Sequence, residues 1–426
     1  MLSAAGAAGG STAWILQLEQ SGTSFEMRQT KLRADSSSNF SVTMTASGTP
    51  YVVIIGQDGS VNTAFKFSFP SGNINSYSSV LDSSGNVYVG GSDFNTPNPW
   101  IAKFNSSGTN QWSYSYSGPN SYCRATNLMI ADVSGSEKLF ALFGEYQNWQ
   151  PTSLNLDGSV NWGQKYYNTQ SSPFSYGMIE NNAGEIATFG LLGYNFGSGF
   201  VEFNGVNAVT KAGTSSWMSG FWMGSYPSYT QFVNPMDMAQ DSNGKYYLAA
   251  ARNEYNNYTR ICVLDATRSY SAGKEIYGGS TGVGLGGVVV NAADEAVIVT
   301  GAGTNGFDVV AFDDTLATQW YYRITYSGGS VLNIDSTALG IDTADNHLLI
   351  QAVYSDGSAA VFRIPADAAL TNGTYGDFTV STPTLYIQSV SGGNNENTRL
   401  LTNSPSPTSV SETTTAQSLT TTVTNL

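Results

Sequence analysis

The stretch SSVLDSSGNVYVGGSDFNTPNPWIAKFNSSGTNQWSYSYSG, residues 78–118, holds four short runs of alternating apolar and β-branched residues separated by turn clusters. A side-chain period of two predicts four strands, called a, b, c and d. The pattern recurs along the chain. Turns of a–b type are read at SGTP (47–50), DSSGN (82–86), SGSE (134–137), NNAGE (181–185), DSNGK (241–245), NAADE (291–295) and DTADN (342–346), each followed by an apolar b run. Asp, Asn and Gly suit these positions because they accept left-handed backbone and hydrogen-bond their own amides. Eight c runs are read: WILQL (14–18), AFKFS (64–68), WIAKF (100–104), TSLNL (152–156), FVEF (200–203), ICVL (261–264), VVAF (309–312) and AVFRI (360–364). Phe104/Trp112, Leu154/Trp162 and Phe312/Trp320 share an offset of eight across the c–d turn, which puts a large ring on strand d, in the wedge between sheets.

A repeat of four strands predicts an all-β propeller, a radial array of small sheets that keeps its edges short. Seven a–b turns against eight c runs imply ring closure between the termini. The N-terminal c–d pair, 14–30, would join an a–b pair from TLYIQSV (384–390) and TRLLT (398–402). The expectation is therefore an eight-bladed propeller over 12–402, with seven blades as the alternative. Residues 1–11 form an N-terminal arm. Residues 403–426, Ser/Thr-rich with no aromatic, are either a tail or an assembly arm that adds as a strand to a neighbour.

Composition excludes several functions. With 17 Lys+Arg against 31 Asp+Glu the net charge is −14, which argues against nucleic-acid binding through a basic surface. No apolar run is long enough to insert in a membrane as a helix. Two cysteines and one histidine disfavour a zinc site, and Cys123 and Cys262 read as buried free thiols rather than a disulfide. The opening MLSAAGAAGGSTAWILQL lacks a basic n-region and is a poor secretory signal.

The pattern D-x-x-G-N-x-Y-V-x-G … W-I-A-K-F-N-x-x-G-x-x-x-W, complete over 82–112 and partial over 152–162 and 309–320, resembles the bacterial-type β-propeller repeat family of surface and secreted proteins. The decamer MLSAAGAAGG before a Trp-led strand is similar to tailed-phage virion proteins, particularly those of marine phages and cyanophages. The first resemblance implies a fold and the second a location.

No catalytic residue, metal ligand or cofactor is assigned. His347 opens a b strand without an identifiable orienting partner and is read as structural. SSGTNQW (106–112) lacks the Asp of sialidase Asp-box turns, and no adjacent cysteines accompany the similarity to eight-bladed quinoproteins. GVGLGG (282–287) does not match a phosphate-binding fingerprint, and the Asp/Asn turns are explained by turn chemistry rather than calcium. The distinctive surface is the end carrying b–c and d–a loops. It gathers Phe94, Tyr146, Trp149, Tyr194, Tyr255 and Tyr258, with Trp217, Phe221, Trp222, Tyr226 and Tyr229 from the insertion 214–232. Exposed aromatic area of this kind marks an interaction site. Three uses stand open: contact with another subunit, a plug over the channel, or stacking on glycan rings.

The combined reading is a non-enzymatic structural or adhesion propeller of a phage virion, in its tail or an appendage. Its partners would be other virion subunits, including copies of itself, or a host-surface glycan, with no nucleic acid and no membrane insertion. The alternatives are a quinoprotein-like or glycan-cleaving propeller enzyme, and a secreted or cell-surface bacterial adhesin.

Overall fold

The computed structural model describes residues 13–425 apart from 20–23, 27–28, 30, 70–73, 94–97, 117–122, 146–147, 165, 168–176, 196–199, 224–232, 253–257, 278–284, 302–305, 329–336, 369, 390–391, 395–415 and 419–421. Every described regular element is a strand. Blade 2 follows the quoted stretch, with Ile74–Leu81, Val87–Asp93, Pro99–Phe104 and Asn110–Tyr116 as strands a to d in an antiparallel sheet. Blades 3 to 6 repeat this order from Arg124, Gly177, Val233 and Leu285. Buried apolar side chains form seven clusters, each shared by two neighbouring sheets: 1–2, 2–3, 3–4, 4–5, 5–6, 6–7 and 7–1. Seven shared wedges mean a closed ring of seven blades, the alternative count from the sequence.

The eighth blade disappears because the reading frame slips at the N-terminus. Trp14–Leu18 is a d strand, not a c strand. It pairs antiparallel with Ala359–Pro365, strand c of blade 7, from Trp14↔Arg363 to Leu18↔Ala359. Closure thus joins one N-terminal strand to three from the other end, Thr337–Asp342, His347–Val353 and Ala359–Pro365. Blade 1 is displaced in the same way. Its a–b turn is DSSSN (35–39), where Ser37 and Asn39 donate backbone N–H to Asp35 Oδ1 at 2.8 and 2.9 Å, as Ser84 and Asn86 do to Asp82 at 3.0 and 2.9 Å. Ser38 takes the left-handed position (φ 59°) that Gly85 takes in blade 2 (φ 76°), which hides the turn from a glycine-led search. SGTP (47–50) instead joins strands b and c of blade 1, Phe40–Ala46 and Thr49–Ile55, and AFKFS belongs to its d strand, Val61–Ser68.

The d-strand aromatics lock adjacent blades as expected. Trp112 and Trp162 donate Nε1–H to backbone carbonyls of the next blade's c–d turn, Leu156 O at 3.1 Å and Lys211 O at 2.9 Å, and Trp14 does the same to Gln57 O at 2.8 Å. Trp320 donates within its own blade, to Glu295 Oε2 at 3.1 Å. The turn glycines are matched to these rings: a Cβ on Gly213 (φ +88°) would stand 2.6 Å from Trp162, so this site needs both left-handed freedom and the missing side chain. Cys123 and Cys262 are both buried, and neither is in a disulfide.

Beyond blade 7 the chain turns back and runs along the outer edges of the blades in reverse order. Phe378–Ser381 pairs with strand d of blade 6, Tyr386–Ser389 with that of blade 5, and Gly392–Asn394 with that of blade 4. Ala416–Ser418 then pairs with strand d of blade 2, and Thr422–Asn425 with that of blade 1. The segment expected to supply two strands of an eighth blade is therefore a peripheral belt, with 398–402 outside the described residues. Phe378 anchors its start, fully buried against Tyr326, Tyr354 and Phe362. Each added strand covers a row of otherwise unpaired backbone groups.

Deleting 373–426 uncovers those edges and removes Phe378 from its site. The expected result is a lower Tm together with self-association, read by differential scanning calorimetry and light scattering; an unchanged Tm and a monomer would contradict the belt's role. Acid provides a second test. Hydroxyls of Ser60, Ser159 and Thr267 and nearby backbone amides hold Asp58, Asp157 and Asp265 below the usual carboxylate range. A depressed folded pKa gives stability that is present above the unfolded pKa and lost as pH falls through the folded value. Thermal stability therefore falls as pH drops below about 4, and D58N/D157N/D265N flattens part of that decline.

Candidate functional site

At the end of the ring that carries the a–b turns, the central channel opens as a cavity of about 590 Å³. Its floor is Lys31, Leu32 and Arg33, the innermost segment of blade 1. Its wall is an aliphatic collar with Val80, Met129, Ile179, Met238, Val289 and Ile341 from blades 2 to 7, and its rim carries Asp35, Ser83, Glu137, Glu180, Asn182, Gln240 and Thr343. Inner strands supply this collar because they lie nearest the axis, their side chains alternating between the wedges on either side.

The floor forms because Lys31–Arg33 leaves its own blade and pairs, parallel, with the innermost strand of blade 7: Lys31↔Leu339, Leu32↔Gly340 and Arg33↔Ile341. The close approach needs Gly340, where a Cβ would stand 2.2 Å from Leu32 O. The two cations then span the channel. Lys31 Nζ lies 2.7 Å from Asp237 Oδ2 in blade 5 and donates to Val288 O in blade 6 at 2.7 Å. Arg33 donates Nε–H to Leu128 O at 3.1 Å and Nη2–H to Asn127 Oδ1 at 3.2 Å, both in blade 3, and Nη2–H to Met178 O in blade 4 at 2.5 Å. Asp237 also accepts backbone N–H from Met238 at 2.8 Å and Val288 at 3.0 Å. Burial lowers the Lys31 pKa and raises that of Asp237, and it lowers Arg33 to about 10.

The rim is tied from turn to turn. Ser83 donates to Glu137 at 2.8 Å (blades 2 to 3), Asn182 Nδ2 to Asp241 O at 2.7 Å (4 to 5), Ser242 N to Asp294 at 3.0 Å (5 to 6), and Ala292 N to Asn346 at 2.9 Å (6 to 7). Lys211 pairs with Glu180 at 2.5 Å. The mouth is thus a pre-formed, acidic ring over an aliphatic throat and a cationic floor. His347 lies elsewhere, at the edge of blade 7, with Nδ1 3.0 Å from Asp345 Oδ1. Asp345 also pairs with the buried Arg363, which Asp342 holds at 3.1 Å.

The expected aromatic face is not assembled among the described residues. Trp149 is fully buried in the wedge between blades 3 and 4, donating Nε1–H to Thr188 Oγ1 at 3.1 Å and Asn207 Oδ1 at 2.9 Å and stacking on Tyr166. Phe221 is fully buried against Phe189. Trp217 sits at the opposite end from the one expected, half-buried, with Nε1–H on Glu185 Oε2 at 3.0 Å and the Arg268 guanidinium over its ring at 4.2 Å. All three are corrections: Trp149 lies on strand c of blade 3, Asn148–Leu154, where its ring fills a wedge, and the other two share a cause. Ser215–Met223, the first half of the supposed insertion, is strand d of blade 4, and its rings fill wedges. Trp222, Tyr194 and Tyr258 lie on strands, their backbones opposite Gly393, Val201 and Tyr277. Phe94, Tyr146, Tyr226, Tyr229 and Tyr255 lie outside the described residues. The floor residues carried a signal that went unread: Arg28, Lys31 and Arg33 place three of 17 basic residues within six positions.

No family model and no curated protein sequence matches the chain. Among solved structures it is similar to virginiamycin B lyase from Staphylococcus aureus, with 14% identity over 77% of this chain and 98% of that one and a TM-score of 0.42. It is also similar to NanB sialidase from Streptococcus pneumoniae (11% identity, 82% of this chain, 70% of that one, TM-score 0.42). A luciferin-regenerating enzyme gives 10% identity over 68% of this chain and 91% of that one, with a TM-score of 0.39. The propeller likeness extends to enzymes, so the expectation of a non-enzymatic chain is withdrawn.

Removing one partner of a buried ion pair costs about 3–5 kcal/mol, whereas removing both is far milder. D237N is therefore expected to lower stability by that amount in urea titration, and K31M/D237N to recover most of it. Equal losses in both variants would show that the pair does not hold the floor.

Proposed function

We propose that the protein is a recognition propeller that engages its ligand or partner through the turn-side funnel. The observation that carries this reading is the funnel itself, a pre-formed concavity in which a charged floor and a polar rim converge on an aliphatic throat, an arrangement suited to holding a ligand. The belt supports it. With the outer edges of blades 1, 2, 4, 5 and 6 paired to the chain's own tail, the ends of the ring are the larger surfaces left for docking.

Within that reading we place the ring on an extracellular particle, as a phage tail or appendage component facing other virion subunits or a host-surface glycan. The support is the N-terminal sequence resemblance together with a sparsely charged, edge-protected scaffold. Immuno-electron microscopy with an antibody to the ring tests the placement, and label absent from intact particles would count against it.

Ile130 lines the funnel half-buried, with part of its side chain against the core between blades 2 and 3, so I130W narrows the cavity from a position that is not fully enclosed. A thermal-shift screen of small ligands and short peptides is expected to give hits with the native chain that I130W loses while its own Tm stays within a few degrees. Hits retained in I130W would move the site elsewhere.

A further inference from the structure

The geometry points to a specific ligand chemistry for this funnel: one carboxylate head seated on Arg33, with an apolar body against the aliphatic collar. The inference rests on the funnel being the recognition site and goes on to say what it recognises. Arg33 is the starting point. Its acceptors, Leu128 O, Asn127 Oδ1 and Met178 O, are all neutral. Among the described residues no carboxylate lies within ion-pair distance of it, whereas neighbouring Lys31 has Asp237 at 2.7 Å. Asp237 acts on Arg33 as well but is shared with Lys31, so two cations face one carboxylate and the floor keeps one positive charge in excess; an arriving carboxylate supplies the missing charge at Nη1, since Nε and Nη2 already serve those three acceptors.

The surroundings narrow the choice. Asp35, Glu137 and Glu180 at the rim disfavour a second negative charge, which argues against phosphate esters and dicarboxylates. The collar is aliphatic, with no ring on which a sugar face stacks, so the body that follows the head is apolar. About 590 Å³ exceeds what a small acid fills and falls in the range of drug-sized ligands. Two sources carry this chemistry: the carboxy-terminus of a polypeptide ending in an aliphatic residue, and a free medium-chain acid. The acidic rim favours the first where basic residues precede the terminus.

Titration calorimetry on the full chain separates these cases, using octanoate and a Lys-Ala-Val-Leu peptide as its free acid and as its C-terminal amide. The acid peptide is expected to bind about tenfold or more tightly than the amide, a difference of about 1.4 kcal/mol. I130W is expected to abolish binding without loss of fold. R33Q is expected to remove the acid–amide difference, and R33K to keep part of it should R33Q fail to fold. Tighter binding of the peptide than of octanoate names a polypeptide terminus as the source, the reverse names a free acid, and either supports the assignment. Equal binding of acid and amide, lost in I130W, overturns the carboxylate head while leaving the funnel as a recognition site. Acid binding that survives I130W, or no binding of any probe to the folded native chain, overturns the inference outright.

Discussion

A charged segment laid across the narrow end of the channel is the constraint on which the rest of this ring depends. Innermost strands of a propeller face the axis with unpaired N–H and C=O groups, and these need partners or water. Here one stretch of chain supplies many of them. Lys31 reaches blades 5 and 6, Arg33 reaches blades 3 and 4, and the backbone between them pairs with blade 7. Gln29 accepts the Thr43 amide of blade 1 at 2.9 Å and contacts Ser79 of blade 2 at 3.5 Å. Four residues, Gln29, Lys31, Leu32 and Arg33, thereby touch every blade. The ion pair at their centre gains little by itself, since desolvation offsets most of the attraction. What it fixes is register, because a slip of one residue along the parallel ladder would direct both cations away from the axis.

The repeat was readable because it is local. An Asx-type turn followed by an alternating run leaves its mark within ten residues, and the Trp of strand d stands at a fixed offset from strand c. The blade count was not readable by the same means. WILQL (14–18) and WIAKF (100–104) share a Trp-led pattern, yet one is a closing d strand and the other a c strand. Only the partner of each strand distinguishes them, and for Trp14 that partner lies near residue 363. The floor of the candidate site was hidden for a similar reason. Lys31 and Arg33 look like solvated charges until the chain bows into the channel. The aromatic reading failed in the opposite sense, because Trp149 and Phe221 have the composition of a binding surface and the location of a core.

The two ends of the chain meet the ring in different ways, and this bears on how it folds. Blades 2 to 6 are built from consecutive strands and can nucleate locally. Blade 7 needs Trp14–Leu18, and the floor needs Lys31–Arg33 opposite Leu339–Ile341, so closure waits on contacts across more than 300 residues. Contacts of such separation form late. The belt comes later still in the sequence and adds to edges that exist only once strands d are in place. An order follows from connectivity alone: local blades, closure with its charged floor, and then the belt, which covers edges that would otherwise template pairing with another chain.

Charge is scarce in this molecule, and its placement shows what is unusual about the funnel. The fully buried cations among the described residues are Lys31, Arg260 and Arg363, and each has a carboxylate partner in Asp237, Glu275 or Asp342. Half-buried Arg323 is paired with Asp308 at 2.7 Å. Other half-buried cations are held by neutral groups, Lys66 over the Tyr51 ring and Lys138 on Asn155 Oδ1, and Arg33 is of this kind, set at the floor of the funnel. In a chain of net charge −14 it forms a small positive island beneath an acidic mouth. A floor that served only to tie blades together would be equally well made with neutral donors to the same three acceptors. Two cations sharing Asp237 leave the floor one positive charge that a tie does not need, and the proposed carboxylate preference rests on that surplus at the base of an aliphatic throat.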